Sequence, residues 1–304
     1  MFQECRRKYY FHYLYSQLPP DLRDETIYRN VKFLRKLTNR FMLMGQVLHD
    51  EIDRWIVSLG TERPLSLQTV IQRTWREFEY RYKFSFKEEY FYRPENDPHY
   101  TVLFEHIYRI PVTEVALGKL YQMVKKALRN LSLWPGMERI RMMDPRRIVF
   151  KEELMKGQFD EIPVWLKIDL GYRQLDGKLI IIDWKFSQTA EEKDPLQLAI
   201  YGAFARQKFP DNSGIELIDF YLLSGQEKRY FFTEDLHQKT RQLIGRSHRQ
   251  MVAFHQQAAR GNMLGQLPAQ YRESTCDWCN FRKICFPRGF PSALQAKRKY
   301  LTLI

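Results

Sequence analysis

Long apolar runs are missing from this 304-residue chain. No stretch of about 18 apolar residues occurs, so a membrane-spanning helix is not expected. An apolar signal core is missing as well. Arg6-Arg7-Lys8 leads into a run rich in Tyr and His, and the expected location is the cytoplasm. Internal repeats and low-complexity tracts are not found, which excludes solenoids and compositionally biased arrays. Cysteine is scarce, at four residues, and a disulfide framework is not expected in a cytosolic chain. Acidic residues are outnumbered, 36 against 49 basic ones, which leaves a formal charge of +13. Aromatic surface, by contrast, is plentiful: 21 Phe, 18 Tyr and 6 Trp can bury too much area for a disordered chain. The length suits one large domain or a core with a satellite. The positive balance fits a polyanionic partner, because each cation that neutralises a phosphate releases a condensed counterion. Simple solubility is the plainer reading.

Periodicity predicts a short helix over 5–18, stopped by Pro19-Pro20. Residues 21–37 are charged and mixed. A helix is predicted over about 38–59, with Phe41, Met44, Leu48, Ile52 and Trp55 at helical spacing and Gly60 at its end. Two more follow at about 66–92 and 100–131, separated by Pro94 and Pro98, and Trp134-Pro135-Gly136 closes this helical block. The character then changes to strands at 146–154, 163–172 and 178–186, with Asp176-Gly177 as a turn between the last two. Asp194-Pro195 offers an N-cap and an N1 proline for a helix at 196–207. Strands at 215–223 and 228–232 and a helix at about 233–261 complete the pattern. The expected fold class is α/β with a small mixed sheet. Its expected segments are 1–37, a helical block at 38–136, a core at 137–262 and a cysteine-bearing tail at 263–304, packed as one unit.

Three of the four cysteines form C-x2-C-x5-C, at Cys276, Cys279 and Cys285, and the fourth is Cys5 near the other end. Four thiolates suit a tetrahedral or cubane metal site. Zinc stays open on this pattern, although structural zinc sites more often use two C-x2-C pairs. One N-terminal and three C-terminal ligands would tie the chain ends together and couple metal binding to folding.

Side chains alternate along the strand at 178–186, so Leu179, Ile181, Asp183 and Lys185 share a face. A carboxylate and an ammonium on so apolar a strand are costly to bury unless they serve each other or a third group. Asp169 lies on the preceding strand. Two carboxylates held close repel unless a divalent cation sits between them, and Mg2+ or Mn2+ prefers that oxygen-rich setting. The plainer alternative is ion pairing at a sheet edge. Gln197 and Tyr201, at i and i+4, share a helical face and offer uncharged polar groups. His49 lies on a stripe with Gly45, Ile52 and Ile56 and is either a core histidine or a third metal ligand through neutral imidazole. Glu153 is a candidate auxiliary carboxylate.

Six segments in order carry a resemblance: Phe2-Gln-Glu-Cys5-Arg-Arg-Lys-Tyr9, Gly45-Gln-Val-Leu-His49, Lys167-Ile-Asp169, Ile182-Asp183-Trp-Lys185, Gln197-Leu-Ala-Ile-Tyr201 and the C-x2-C-x5-C tail. The chain resembles the RecB-type branch of the PD-(D/E)xK nuclease superfamily, specifically its iron–sulfur members such as the AddB nuclease domain and the CRISPR-associated adaptation exonucleases. The resemblance implies a restriction-endonuclease-like mixed sheet flanked by helices, with an N-terminal helical block and an iron–sulfur staple joining the termini. It implies a catalytic divalent metal, Mg2+ or Mn2+, on His49, Asp169, Asp183 and the backbone carbonyl of Trp184. Lys185 would position and activate the attacking water, and Gln197 and Tyr201 would support the site. Cys5, Cys276, Cys279 and Cys285 would hold a 4Fe-4S cluster. Arg6, Arg7, Lys8 and Tyr9 are candidates for gripping DNA, single-stranded or with free ends. The expected activity is that of a metal-dependent deoxyribonuclease, an exonuclease of DNA repair, recombination, phage defence or CRISPR adaptation, with a helicase or defence-system partner and no membrane. The rivals are a non-catalytic DNA-end-binding module of such a complex and a zinc-stapled hydrolase of another class.

Overall fold

The computed structural model describes residues 1–159, 161–188 and 195–287. Asp194, expected as an N-cap, lies outside the described residues. Along the chain the principal elements are helices α1 (Glu25–Leu34), α2 (Arg40–Leu59), α3 (Leu67–Phe86) and α4 (Glu114–Leu133). Strands β1 (Ile148–Phe159), β2 (Ile162–Arg173) and β3 (Leu179–Lys185) follow, then α5 (Leu196–Lys208), β4 (Ile215–Tyr221), β5 (Gln226–Phe231) and α6 (Glu234–Ala258). No helix among the described residues is long and apolar enough to cross a membrane.

The chain forms two compact units. One comprises Met1–Leu43, Glu79–Leu117 and the chain from His248; the other comprises Met44–Phe78 and Gly118–Ser247. The second unit holds the whole five-stranded sheet, in the order β1-β2-β3-β4-β5. β1, β2 and β3 are antiparallel neighbours, β3 and β4 are parallel, and β4 and β5 are antiparallel. The parallel pair needs a crossover, and α5 supplies it. Leu198, Tyr201 and Ala205 of α5 pack with Leu166, Ile168, Leu179, Ile181 and Leu217 of the sheet. Trp134 stands in contact with Trp184 and Phe220, at ring separations of 5.8 and 4.7 Å. The turn between β2 and β3 is at Asp176-Gly177 as the sequence suggests. Gly177 takes φ +86°, where a Cβ would be strained, and Asp176 Oδ1 accepts from the Lys178 amide at 3.0 Å.

The first unit is built on an aromatic core in which Tyr10, Phe11 and Tyr15 are fully buried. These come from the 5–18 segment, which is helical in three successive turns of differing pitch, Arg6–Tyr9, Tyr10–Leu14 and Tyr15–Gln17. Two expectations need correction. Helix α1 lies in the stretch read as merely charged, with the Asp24 carboxylate capping the Ile27 amide at 2.8 Å. The helix expected over 100–131 is broken. Val102–Leu103 pairs in parallel with Leu37–Thr38, a single turn spans Phe104–Ile107, and α4 starts only at Glu114. Pro111 disfavours helical geometry at Ile110, and Arg109 takes φ +52°.

Candidate metal-dependent active site

The β2–β3 ladder stops at Leu170↔Ile182. Another rung would pair the backbones of Asp169 and Asp183. Instead the Asp169 carboxylate replaces a backbone acceptor: its Oδ2 takes the Trp184 N–H at 2.7 Å. Its Oδ1 lies 3.3 Å from His49 Nδ1 on α2. Glu152 on β1 stands opposite Asp169, flanked by the rungs Lys151↔Leu170 and Glu153↔Ile168. Its φ of +28° is rare for a residue with a Cβ. One ligand atom each from His49, Glu152 and Asp169 lies within 4.8 Å of the others, the one such group among the described residues.

Asp183 and Lys185 share a face of β3, as alternation predicts, and form an ion pair. Lys185 Nζ also donates to Gln197 Oε1 at 2.7 Å. Gln197 Nε2 donates to the Tyr201 hydroxyl at 2.7 Å, and that hydroxyl donates to the Lys167 carbonyl at 2.6 Å. The i, i+4 pair on α5 thus faces the site as one relay. All these residues, with Trp184, line one pocket of about 470 Å³.

Two acidic residues that the sequence reading did not single out complete the electrostatics. Glu152, and not the exposed Glu153, points into the pocket and pairs with Lys167. Asp219, beside Asp183 in the parallel register, lies 3.7 Å from Lys185 Nζ. It is buried, and its Oδ1 has no hydrogen-bond partner.

Burial, then the charge of Asp169, pushes the Asp183 carboxyl up to about 7, although Lys185 pulls the other way. Burial also raises Glu152 and Asp219. For His49 and Lys185 burial opposes the charge, but the surrounding carboxylates overcome it and raise both. So much crowded negative charge is what a divalent cation relieves. An imidazole nitrogen and carboxylate oxygens fit such an ion.

In the first unit all four cysteines are free thiols lining one cavity of about 360 Å³. Burial pushes the Cys279 thiol up to about 11 and raises Cys285. Arg7 is drawn into this region: its guanidinium donates to Leu264 O at 3.2 Å and to Leu267 O. Tyr9 is buried, with its hydroxyl 2.8 Å from His255 Nε2. Lys8 pairs with Glu4, and exposed Arg6 lies over the Phe2 ring. Of the four residues expected to grip DNA, Arg7 and Tyr9 are thus engaged inside their own unit.

No curated protein matches this chain. A family model described as the PD-(D/E)XK nuclease superfamily matches residues 1–286, and members of that superfamily are typically metal-dependent nucleases. With the match running through both the cysteine-bearing unit and the carboxylate pocket, the chain belongs to the PD-(D/E)XK nuclease superfamily.

Proposed function

We propose that the protein hydrolyses phosphodiester bonds in DNA, as an exonuclease working from single-stranded or frayed ends. The observation that carries this reading is the grouping of His49, Glu152 and Asp169 within 4.8 Å beside the Asp183–Lys185 pair. Those three side chains would hold Mg2+ or Mn2+, with Asp183 and the Trp184 backbone carbonyl as further oxygen donors. The ion supplies Lewis acidity toward the phosphate and lowers the pKa of a water molecule.

The chain's own residues do the rest. The Lys185 ammonium, kept charged by Asp183 and Asp219, stabilises negative charge developing on the phosphate and orients the attacking water. Gln197 keeps its carbonyl oxygen toward Lys185 because the Tyr201 hydroxyl, already donating to Lys167 O, is left as an acceptor for the Gln197 amide.

The four cysteines are proposed to hold a 4Fe-4S cluster that staples the two ends of the chain within the first unit. One feature supports it: the four thiols share one cavity. We place the activity in DNA repair, recombination or defence, alongside a helicase or defence-system partner.

The test is degradation of end-labelled single-stranded DNA in Mg2+ or Mn2+. The parent should degrade it, and Asp183→Ala should lose about a thousandfold, since several kcal/mol of charge stabilisation depend on the ion. Equal degradation by the two would sink the assignment. A parent that binds DNA ends without cutting them would turn the reading into that of an end-binding module. Metal analysis of protein purified without oxygen tests the cluster, and zinc without iron and sulfide would remove it.

A further inference from the structure

Trp165 on β2 is 66% exposed, whereas the other five tryptophans are buried or half-buried. Its position in the hairpin is specific. Lys156↔Trp165 and Leu154↔Lys167 are successive rungs of the β1–β2 ladder on that face, and Glu152 stands opposite Asp169 one rung further. Residues two apart on a strand share a face. The three rungs therefore form a row running from the metal-binding residues to the indole.

Burial agrees with this assignment. Leu154 is 67% exposed, while Leu166 and Ile168, on the opposite face, are buried in the core. Strand rise places Trp165 about 13 Å from Asp169 along β2, with Lys167 midway. Lys156 stands directly across from the indole. An exposed indole beside an ammonium, in line with a phosphodiester-cleaving centre, has the chemistry of a single-strand track: a π-face for an unpaired base and a cation for its phosphate.

We propose that Trp165 is a stacking platform for an unpaired nucleobase and that Lys156 takes the adjoining phosphate, so that a single strand lies along this face of the hairpin on its way to the metal-binding residues. The inference rests on the nuclease reading for what the track leads to. A platform of this kind accepts any base, because every base has a π-face, and it rejects duplex, whose bases are already stacked on one another.

The experiment measures affinity of the full chain for a labelled oligothymidylate by fluorescence anisotropy, in EDTA so that no hydrolysis intervenes. Trp165→Ala should weaken binding about tenfold, equivalent to about 1.4 kcal/mol, and Trp165→Phe should recover most of it. Lys156→Ala should lower the slope of log affinity against log salt by about 0.7. Truncating exposed Leu133 to Ala should leave affinity unaltered, and blunt duplex should not distinguish Trp165→Ala from the parent.

Equal oligothymidylate affinities for Trp165→Ala and the parent would overturn the proposal. So would an equal loss on duplex, a parent with no measurable binding, or a variant that keeps DNA affinity but loses capture of a protein partner. Hydrolysis in Mg2+ is scored separately. Trp165-dependent binding without hydrolysis would retire the nuclease reading and leave the stacking site standing. Hydrolysis without Trp165 dependence would do the reverse.

Discussion

With divalent ions removed, Asp183 should contribute stability that falls as pH rises, and its magnitude follows from its burial. Its carboxyl is 3% exposed, and burial with the nearby Asp169 charge raises it from 3.8 to about 7. In the unfolded chain it ionises near its ordinary value, about 3.9. Between those two values the folded protein holds a proton that the unfolded chain has lost. The stabilisation is therefore complete below about pH 4 and is lost as pH climbs through about 7. At about 1.36 kcal/mol per unit, the change from about pH 5.5 to about pH 8 is about 2 kcal/mol. Raised Glu152, Asp219 and His49 act with the same sign, whereas burial lowers His106 to about 4 and lowers His12, so these two gain stability as pH climbs through the unfolded histidine value and oppose the fall. The carboxyls held low, Glu95, Asp144, Asp211 and Glu234, finish titrating below this window. At about 2 °C per kcal/mol for a chain of this size, the Asp183 share of Tm in EDTA should drop by about 4 °C across the window, read as the difference between the parent and Asp183→Asn. Saturating Mn2+ should cancel the drop, because the ion competes with the proton and stabilises only the folded state. Asp183→Asn should lose this share, so that its EDTA profile departs from the parent's by about that much. Scanning calorimetry reads all three. The same EDTA profile in Asp183→Asn as in the parent would refute the reasoning.

Asp219 should act on catalysis through Lys185. Asp219→Asn should lower kcat about tenfold in the parent yet change nothing in a Lys185→Ala background, and additive effects in that cycle would show the two to be independent. In the first unit, Glu105 accepts from both the Arg40 guanidinium at 2.9 Å and the Arg40 amide at 3.1 Å, and both residues are buried. Glu105→Ala strands that cation and should cost about 3–5 kcal/mol in urea unfolding, with a cost below about 1 kcal/mol counting against the pair. On the proposed cluster assignment, Cys279→Ser should reduce iron content and lower Tm together, because binding of such a cluster would be folding free energy for the unit whose cysteines held it. Loss of iron with no change in Tm would deny the staple.

Elements whose signal is local were legible in the sequence. Helix α2 carries Met44, Leu48, Ile52 and Trp55 at intervals of three and four, all buried, and Asn39 caps its start through the Phe41 and Met42 amides. The β2–β3 turn announced itself through Asp176-Gly177. Helix α1 did carry a helical stripe, with Ile27, Val31 and Leu34 at intervals of four and three and Tyr28 and Phe33 packed beside it, but the charged and polar residues interleaved with them masked it in composition. The break at 104–113 was missed because apolar residues continue on both sides of Pro111 and imitate one long period.

The site divides along the same line. Asp183, Lys185, Gln197 and Tyr201 are separated by spacings that alternation and the helical repeat interpret directly, and the structure brings all four to one pocket. Glu152 and Asp219 enter through pairing between strands, and pairing is fixed by where a hairpin turns. Expecting β1 to end at 154 left the β1–β2 turn unplaced. With the strand running to Phe159, the Phe159↔Ile162 rung sets the register, and stepping back along the ladder brings Glu152 opposite Asp169. A shift of one residue would present Glu153 instead, and would turn Lys156 away from Trp165. The same few residues at the hairpin end therefore select the third side chain of the His–Glu–Asp group and align the exposed indole with it. An insertion near the turn should thus disturb metal affinity and single-strand affinity together, although it touches neither group.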